Sequence, residues 1–121
     1  MVRFRLSRPV RADLAHILAT SAERWGIQGR RRYAAILATA MRKAADDPEG
    51  SVTRDRAELL PGIRSIHIRH ARDDGSKATV ARPVHILYFR VIQPGFIEIV
   101  RVLHERMEPS RHMGVTSLDK D

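Results

Sequence analysis

The sequence predicts an α+β fold: an N-terminal strand and a two-helix hairpin, followed by a three-stranded antiparallel meander, with the helices packed on the sheet. Three observations lead to it. Apolar residues alternate over Met1–Leu6, recur at helical spacing between Val10 and Ala45, and form two nearly unbroken runs, Val84–Val91 and Phe96–Leu103. Turn residues punctuate these blocks at Gly26, Asp46-Asp47-Pro48-Glu49-Gly50, Pro61-Gly62 and Gln93-Pro94-Gly95. Finally, 43% hydrophobic residues in a 121-residue chain suffice for one core without a disulfide or a structural metal.

In Met1–Leu6, Val2, Phe4 and Leu6 share one face and Arg3 and Arg5 the other, the pattern of a half-buried strand. Ser7 offers an N-cap hydroxyl, and Pro9 falls in the first turn, where its missing N–H costs nothing. Val10, Leu14, Ile17, Leu18 and Trp25 continue a helical stripe that Gly26 stops. A second helix is expected from Ile27 to Ala45, with Tyr33, Ile36, Leu37, Ala40, Met41 and Ala44 as its apolar stripe. Arg30, Arg31 and Arg32 open it, against the helix dipole. A connecting stretch then leads to Gly62, and Ile63–Arg69 reads as a strand with Ser65, His67 and Arg69 on its wet face. Residues 70–82 form a polar loop around Asp73-Asp74-Gly75-Ser76. The two apolar runs beyond it are central strands joined by a tight turn. One domain is expected over 1–113, with a flexible polar tail over 114–121.

Charge narrows the function. There are 22 Lys+Arg against 14 Asp+Glu, a formal net charge of +8, which suits a polyanion or an acidic protein partner. With no Cys, thiol chemistry, Fe–S clusters and Cys-type zinc sites are excluded. No apolar stretch is long enough to span a membrane, and no apolar segment comes after Met1-Val2-Arg3-Phe4-Arg5 as in a signal peptide, so a cytoplasmic location is expected. Trp25, Tyr33, Tyr88 and three Phe are too few for a single-strand stacking platform.

Metal-free RNA cleavage requires a base, an acid and cations around one phosphate. The residues available are Arg64, His67, His85, Tyr88, Arg90, Arg101 and His104. Strand parity opposes their convergence: His85 shares a face with Leu87 and Phe89, whereas Tyr88 and Arg90 point the other way, and Arg101 and His104 also differ in parity. His67 and His70 have metal-like spacing but opposite faces and no carboxylate cluster, so neither a metal nor a cofactor is expected. Asp13, Glu23 and Glu58 read as isolated, solvated acids, and Tyr88 and Trp25 as core or boundary residues. Glu98, among apolar neighbours, is expected to pair with Arg90 or Arg101 across the sheet.

The segments Pro61-Gly62-Ile63-Arg64-Ser65, His85-Ile86-Leu87-Tyr88-Phe89-Arg90-Val91 and Ile97-Glu98-Ile99-Val100-Arg101-Val102-Leu103-His104, in this order, resemble the RelE/ParE toxin superfamily, most of all its ParE branch of plasmid-stabilisation toxins. The likeness covers about Leu6 to Met113, and residues 101–107 resemble the last strand and exit of ParE-type chains. It implies the toxin of a type II toxin–antitoxin pair, with a ParD-like acidic antitoxin as partner and DNA gyrase as target. The cleaving RelE-type members carry an arginine ahead of the apolar pair of the third strand, where this chain has Ile86, and a lysine-rich strand before it, where Ile63–Arg69 has no lysine. A noncatalytic gyrase inhibitor is therefore expected. The alternatives are a ribosome-dependent mRNA endoribonuclease and a nontoxic basic nucleic-acid-binding module. The resemblance assigns target binding to the C-terminal exit, through His104, Arg106, Met107, Arg111 and His112. Charge assigns antitoxin binding to Arg30, Arg31 and Arg32.

Overall fold

The computed structural model describes residues 3–71 and 82–117, with the side chains of 114–117 left aside. The chain runs β1 (Phe4–Leu6), α1 (Arg8–Asp46), β2 (Thr53–Asp55), β3 (Arg64–His67), a 3₁₀ turn (Ile68–Ala71), β4 (His85–Gln93), β5 (Phe96–His104) and α2 (Ser110–Ser117). The strands form one sheet in the order β1-β5-β4-β3-β2. The three later strands make the antiparallel meander that the sequence predicts, while β1 pairs in parallel with β5, Phe4 opposite Ile97 and Leu6 opposite Ile99.

Ser7 couples the first strand to the first helix. Its side-chain oxygen accepts from the Val10 N–H at 3.3 Å and donates to the Val100 carbonyl at 2.9 Å, while its own N–H reaches the Ile99 carbonyl. One residue thus caps α1 and fastens it to the edge of β5. The expected break at Gly26 is present: φ is +74° and ψ −174°, a conformation open essentially to glycine alone, and it bends α1 into two arms. Gly29 completes the elbow, because a Cβ there would collide with the Trp25 Cβ. Both arms lie on one sheet face. Val10, Ile17, Tyr33, Ile36, Leu37, Ala40, Met41 and Ala44 pack against Ile66, Leu87, Phe89, Ile97, Ile99 and Val102.

The opposite sheet face carries a second cluster of Ile63, Tyr88, Val100, Leu103 and Met113, flanked by Leu59, Leu60 and Ile86. Burial on both faces is why β4 and β5 read as continuous apolar runs. Where β4 emerges from under the helix the ladder turns polar: Glu98 receives Arg90 at 2.8 Å and Arg5 at 3.2 Å, an ion-pair row across β4, β5 and β1. The expected Glu98–Arg90 pair is therefore present; Arg101 is engaged elsewhere.

Several boundaries differ from expectation. Strand β3 ends at His67, and Arg69 and His70 lie in the 3₁₀ turn. The short edge strand β2 has no hydrophobic signature. It is held by pairing with β3 and by Thr53, whose hydroxyl lies 2.9 Å from the Pro48 carbonyl and accepts from Arg64 at 2.9 Å. Helix α2 occupies Ser110–Ser117, across the position where the polar tail was expected to begin. Of the polar loop expected over 70–82, His70 and Ala71 belong to the 3₁₀ turn, and residues 72–81 lie outside the described residues. No helix among the described residues is long and apolar enough to cross a membrane.

Candidate functional site

A groove of about 1020 Å³ opens between the two arms of α1 on one side and the start of β4, the end of β5 and the first exit residues on the other. The elbow at Gly26 shapes its upper wall, leaving Trp25 69% exposed at the rim. Asp13, Tyr33, His85, Arg101 and His104 line its interior, and Arg24, Arg32, Arg82 and Arg106 also contribute to its lining.

Two features build the floor. The first is Asp13. It faces β5 just where β1 has ended and left that strand's edge unpaired. Its carboxylate accepts the Arg101 guanidinium bidentately at 2.8 and 2.9 Å, and the Val102 N–H at 3.0 Å. Arg101 also donates to the His112 carbonyl at 3.1 Å, so a single cluster ties α1, β5 and α2 together. The hydrogen bonds it donates to Asp13 hold Arg101 charged, above its ordinary value. Asp13 is thus not the solvated acid the sequence implies; a carboxylate on a stripe between Val10 and Ile17 requires a partner, and that spacing was the signal.

The second is a histidine row. Tyr88 faces Arg101 and Phe89 faces Ile99, so Val100 is an extra residue, a β-bulge. The bulge reverses the parity of the residues beyond it, and His104 comes to face His85 on the helix side, ring centroids 5.5 Å apart. Tyr33 accepts the Val84 N–H at 3.1 Å, and its own O–H is assigned as the donor to His85 Nδ1 at 2.6 Å. His85 therefore carries its proton on Nε2. The same tautomer is set in His104, whose Nδ1 accepts the Arg106 N–H, and in His67, whose Nδ1 accepts the Arg69 N–H while Nε2 donates to Glu105 at 2.8 Å. Burial, reinforced by His104 and His67, pushes His85 down to about 4, so it is neutral at pH 7. Burial likewise raises the Tyr33 phenol.

Tyr88 lies on the other face, 2% exposed under the Arg56 guanidinium, and burial raises its phenol too. The parity argument that separates His85 from Tyr88 thus agrees with the structure, whereas Arg101 and His104 do meet at one groove because Arg101 reaches Asp13 at the strand edge. Glu58 pairs with Arg56 at 2.7 Å rather than standing alone. Arg30, Arg31 and Arg32 are exposed on the second arm of α1, and Arg32 reaches the groove. Of the exit residues, His104, Arg106 and Met107 line the groove, Arg111 is exposed outside it, and His112 takes part through its carbonyl. Trp25 and Tyr33 contribute to the groove although their spacing reads as ordinary stripe. Among the described residues no group of three His, Cys, Asp or Glu is arranged to hold a metal.

A family model described as the ParE toxin of the type II toxin–antitoxin system parDE matches residues 4–109. The chain belongs to the ParE toxin family. It is 32% identical over 111 residues to a Mycobacterium tuberculosis protein named Toxin ParE1, covering 92% of this chain and 97% of that one. It is 30% identical over 114 residues to a Caulobacter vibrioides protein of the same name, covering 94% and 100%. A solved structure titled chromosomal ParDE TA system from P. aeruginosa shares the fold, with a TM-score of 0.57 over 86% of this chain and 96% of that one at 19% identity. The ParE-family resemblance of the strand motifs is therefore correct, and the groove is a feature of a ParE toxin domain.

Proposed function

We propose that this ParE toxin arrests growth by binding DNA gyrase without covalent chemistry, and that a cognate acidic antitoxin neutralises it in the cytoplasm. The observation that carries the noncatalytic reading is the engagement of the reactive groups: Arg101 is chelated by Asp13, the Tyr33 O–H is given to His85, and Tyr88 is buried on the far face. A phosphoryl-transfer centre needs a base, an acid and a cation over one phosphate. A neutral His85 held at about 4 is a poor base at pH 7. The gyrase-facing surface in this reading is the exit segment, where His104, Arg106, Met107, Arg111 and His112 combine adaptable apolar and cationic contacts. The antitoxin is steered by Arg30, Arg31 and Arg32 and seals a hetero-oligomer.

Purified protein is expected to inhibit supercoiling by gyrase, or to trap cleaved DNA with it, and to leave ribosome-bound mRNA intact. Codon-phased cuts in that mRNA would overturn the reading in favour of an endoribonuclease. Intact growth on expression would favour a nontoxic binding module.

A further inference from the structure

The donors on the groove floor specify more than a general affinity for acids. His85 and His104 each have Nδ1 occupied as an acceptor, by the Tyr33 O–H and the Arg106 N–H, so each ring's remaining proton is on Nε2. Both rings line the groove, edge to face, and no hydrogen bond from either Nε2 is found among the described residues. The carboxylate beside them, Asp13, has Arg101 and the Val102 N–H as partners and does not compete for these donors. Arg32 and Arg106 stand on opposite walls, so the groove attracts negative charge. Apolar side chains share the lining with these polar groups, among them Ile17, Trp25, Val102 and Met107. An amphipathic peptide offers an acid for the donors and apolar side chains for Trp25 and Met107.

Resting on the toxin–antitoxin reading above, we propose that the groove floor is a carboxylate-binding subsite, in which the Nε2–H groups of His85 and His104 take one acidic side chain of an amphipathic partner segment whose apolar residues lie against Trp25 and Met107. The pair recognises an oxyanion by direction and not by charge alone, because the donors to Nδ1 fix which ring nitrogen carries the proton. His104 is here a specificity-determining residue, and the Val100 bulge is what brings it to the helix side of the sheet.

Trp25 is the only tryptophan in the chain and lines the groove, so its fluorescence reports occupancy. The full chain is titrated with a synthetic peptide carrying Leu and Glu at helical spacing, with the same peptide carrying Gln for Glu, and with single-stranded oligothymidylate. The Glu peptide is expected to bind about tenfold or more tightly than the Gln peptide, the scale of hydrogen bonds to a charged acceptor. In His104→Phe, which keeps an aromatic ring beside His85, that ratio falls towards one. His104→Gln, whose amide keeps a donor near the Nε2 position, restores part of it. In the unsubstituted protein the imidazole ¹⁵N resonances of His85 and His104 report the Nε2–H tautomer and shift with the Glu peptide only, so the test stands even if the Phe variant does not fold. Equal binding of the two peptides, a ratio unchanged in a folded His104→Phe, or a Trp25 response to oligothymidylate alone would each overturn the subsite. The gyrase reading fails separately, if the unsubstituted protein leaves supercoiling untouched.

Discussion

Asp13 occupies a helix position where packing favours an apolar side chain, and its carboxylate holds a guanidinium and a strand-edge N–H instead. Its removal would leave both donors half-buried without a partner, which costs more than the pair contributes when intact. Asp13→Ala is therefore expected to lose about 2 kcal/mol of stability in urea unfolding. Because Arg101 then also loosens from the His112 carbonyl, amide exchange should quicken in α2, far in sequence from the substitution. His85 acts in a different way, through pH. Its folded value of about 4 lies below the ordinary 6.5, so the unfolded chain binds the proton more readily. The stability this confers is full above 6.5 and drains away as pH falls from 6.5 towards 4. Between pH 7.5 and pH 5 the natural protein should lose about 1–2 kcal/mol more than His85→Gln, which keeps an acceptor for Tyr33 but does not titrate. Parallel urea curves for the two proteins at the two pH values measure it.

At the level of elements, the elbow of α1 depends on two glycines for different reasons. Gly26 is required by its backbone alone, since nothing lies within 4 Å of a Cβ built there, and Gly26→Ala is expected to cost about 1–3 kcal/mol in thermal or chemical unfolding. Gly29 is required by space: Gly29→Ala pushes against Trp25, so the indole emission should shift as well as the midpoint. The Gly26 break was legible in the sequence because a glycine directly follows Trp25 at the end of the first apolar stripe, and the buried strands were legible because Val84–Val91 and Phe96–Leu103 are apolar on both faces. The Val100 bulge was not legible, since one valine among Ile99 and Val102 looks like its neighbours, and with it the partnership of His85 and His104 was hidden. Strand β2 was equally silent: Thr53-Arg54-Asp55 carries no strand composition and exists because β3 offers an edge. Helix α2 is short and begins in a polar run, Ser110-Arg111-His112, and its anchors, the burial of Met113 and the Arg101 bond to the His112 carbonyl, show only in the structure. Met113→Ala should lose about 2 kcal/mol or more, while stopping the chain after Leu103 removes the same anchor and confounds stability with target binding.

The molecule as a whole presents cationic groups on both sides of one groove, which joins the surfaces the sequence had kept apart: Arg32 from the helical arm, and Arg106 and Met107 from the exit. Replacing Arg30, Arg31 and Arg32 together with Glu should slow association with the proposed acidic antitoxin and flatten its dependence on salt. Stopped-flow mixing at low and high ionic strength measures this, and an unchanged on-rate would show that these arginines are solvated only. Steering belongs to the whole field, so the dissociation rate should change far less than the association rate. The sheet order has a consequence in time. The first strand to leave the ribosome, at Phe4, is completed by one of the last, at Ile97, and at ordinary synthesis rates the wait is roughly five to twenty seconds. Until then α1 lacks β5, which carries Ile97, Ile99 and Val102 of the core beneath it, and the groove lacks the β5 and exit part of its wall. A chain abandoned before Phe96 therefore never closes the groove, and translation that falters midway leaves a fragment without the proposed binding surface.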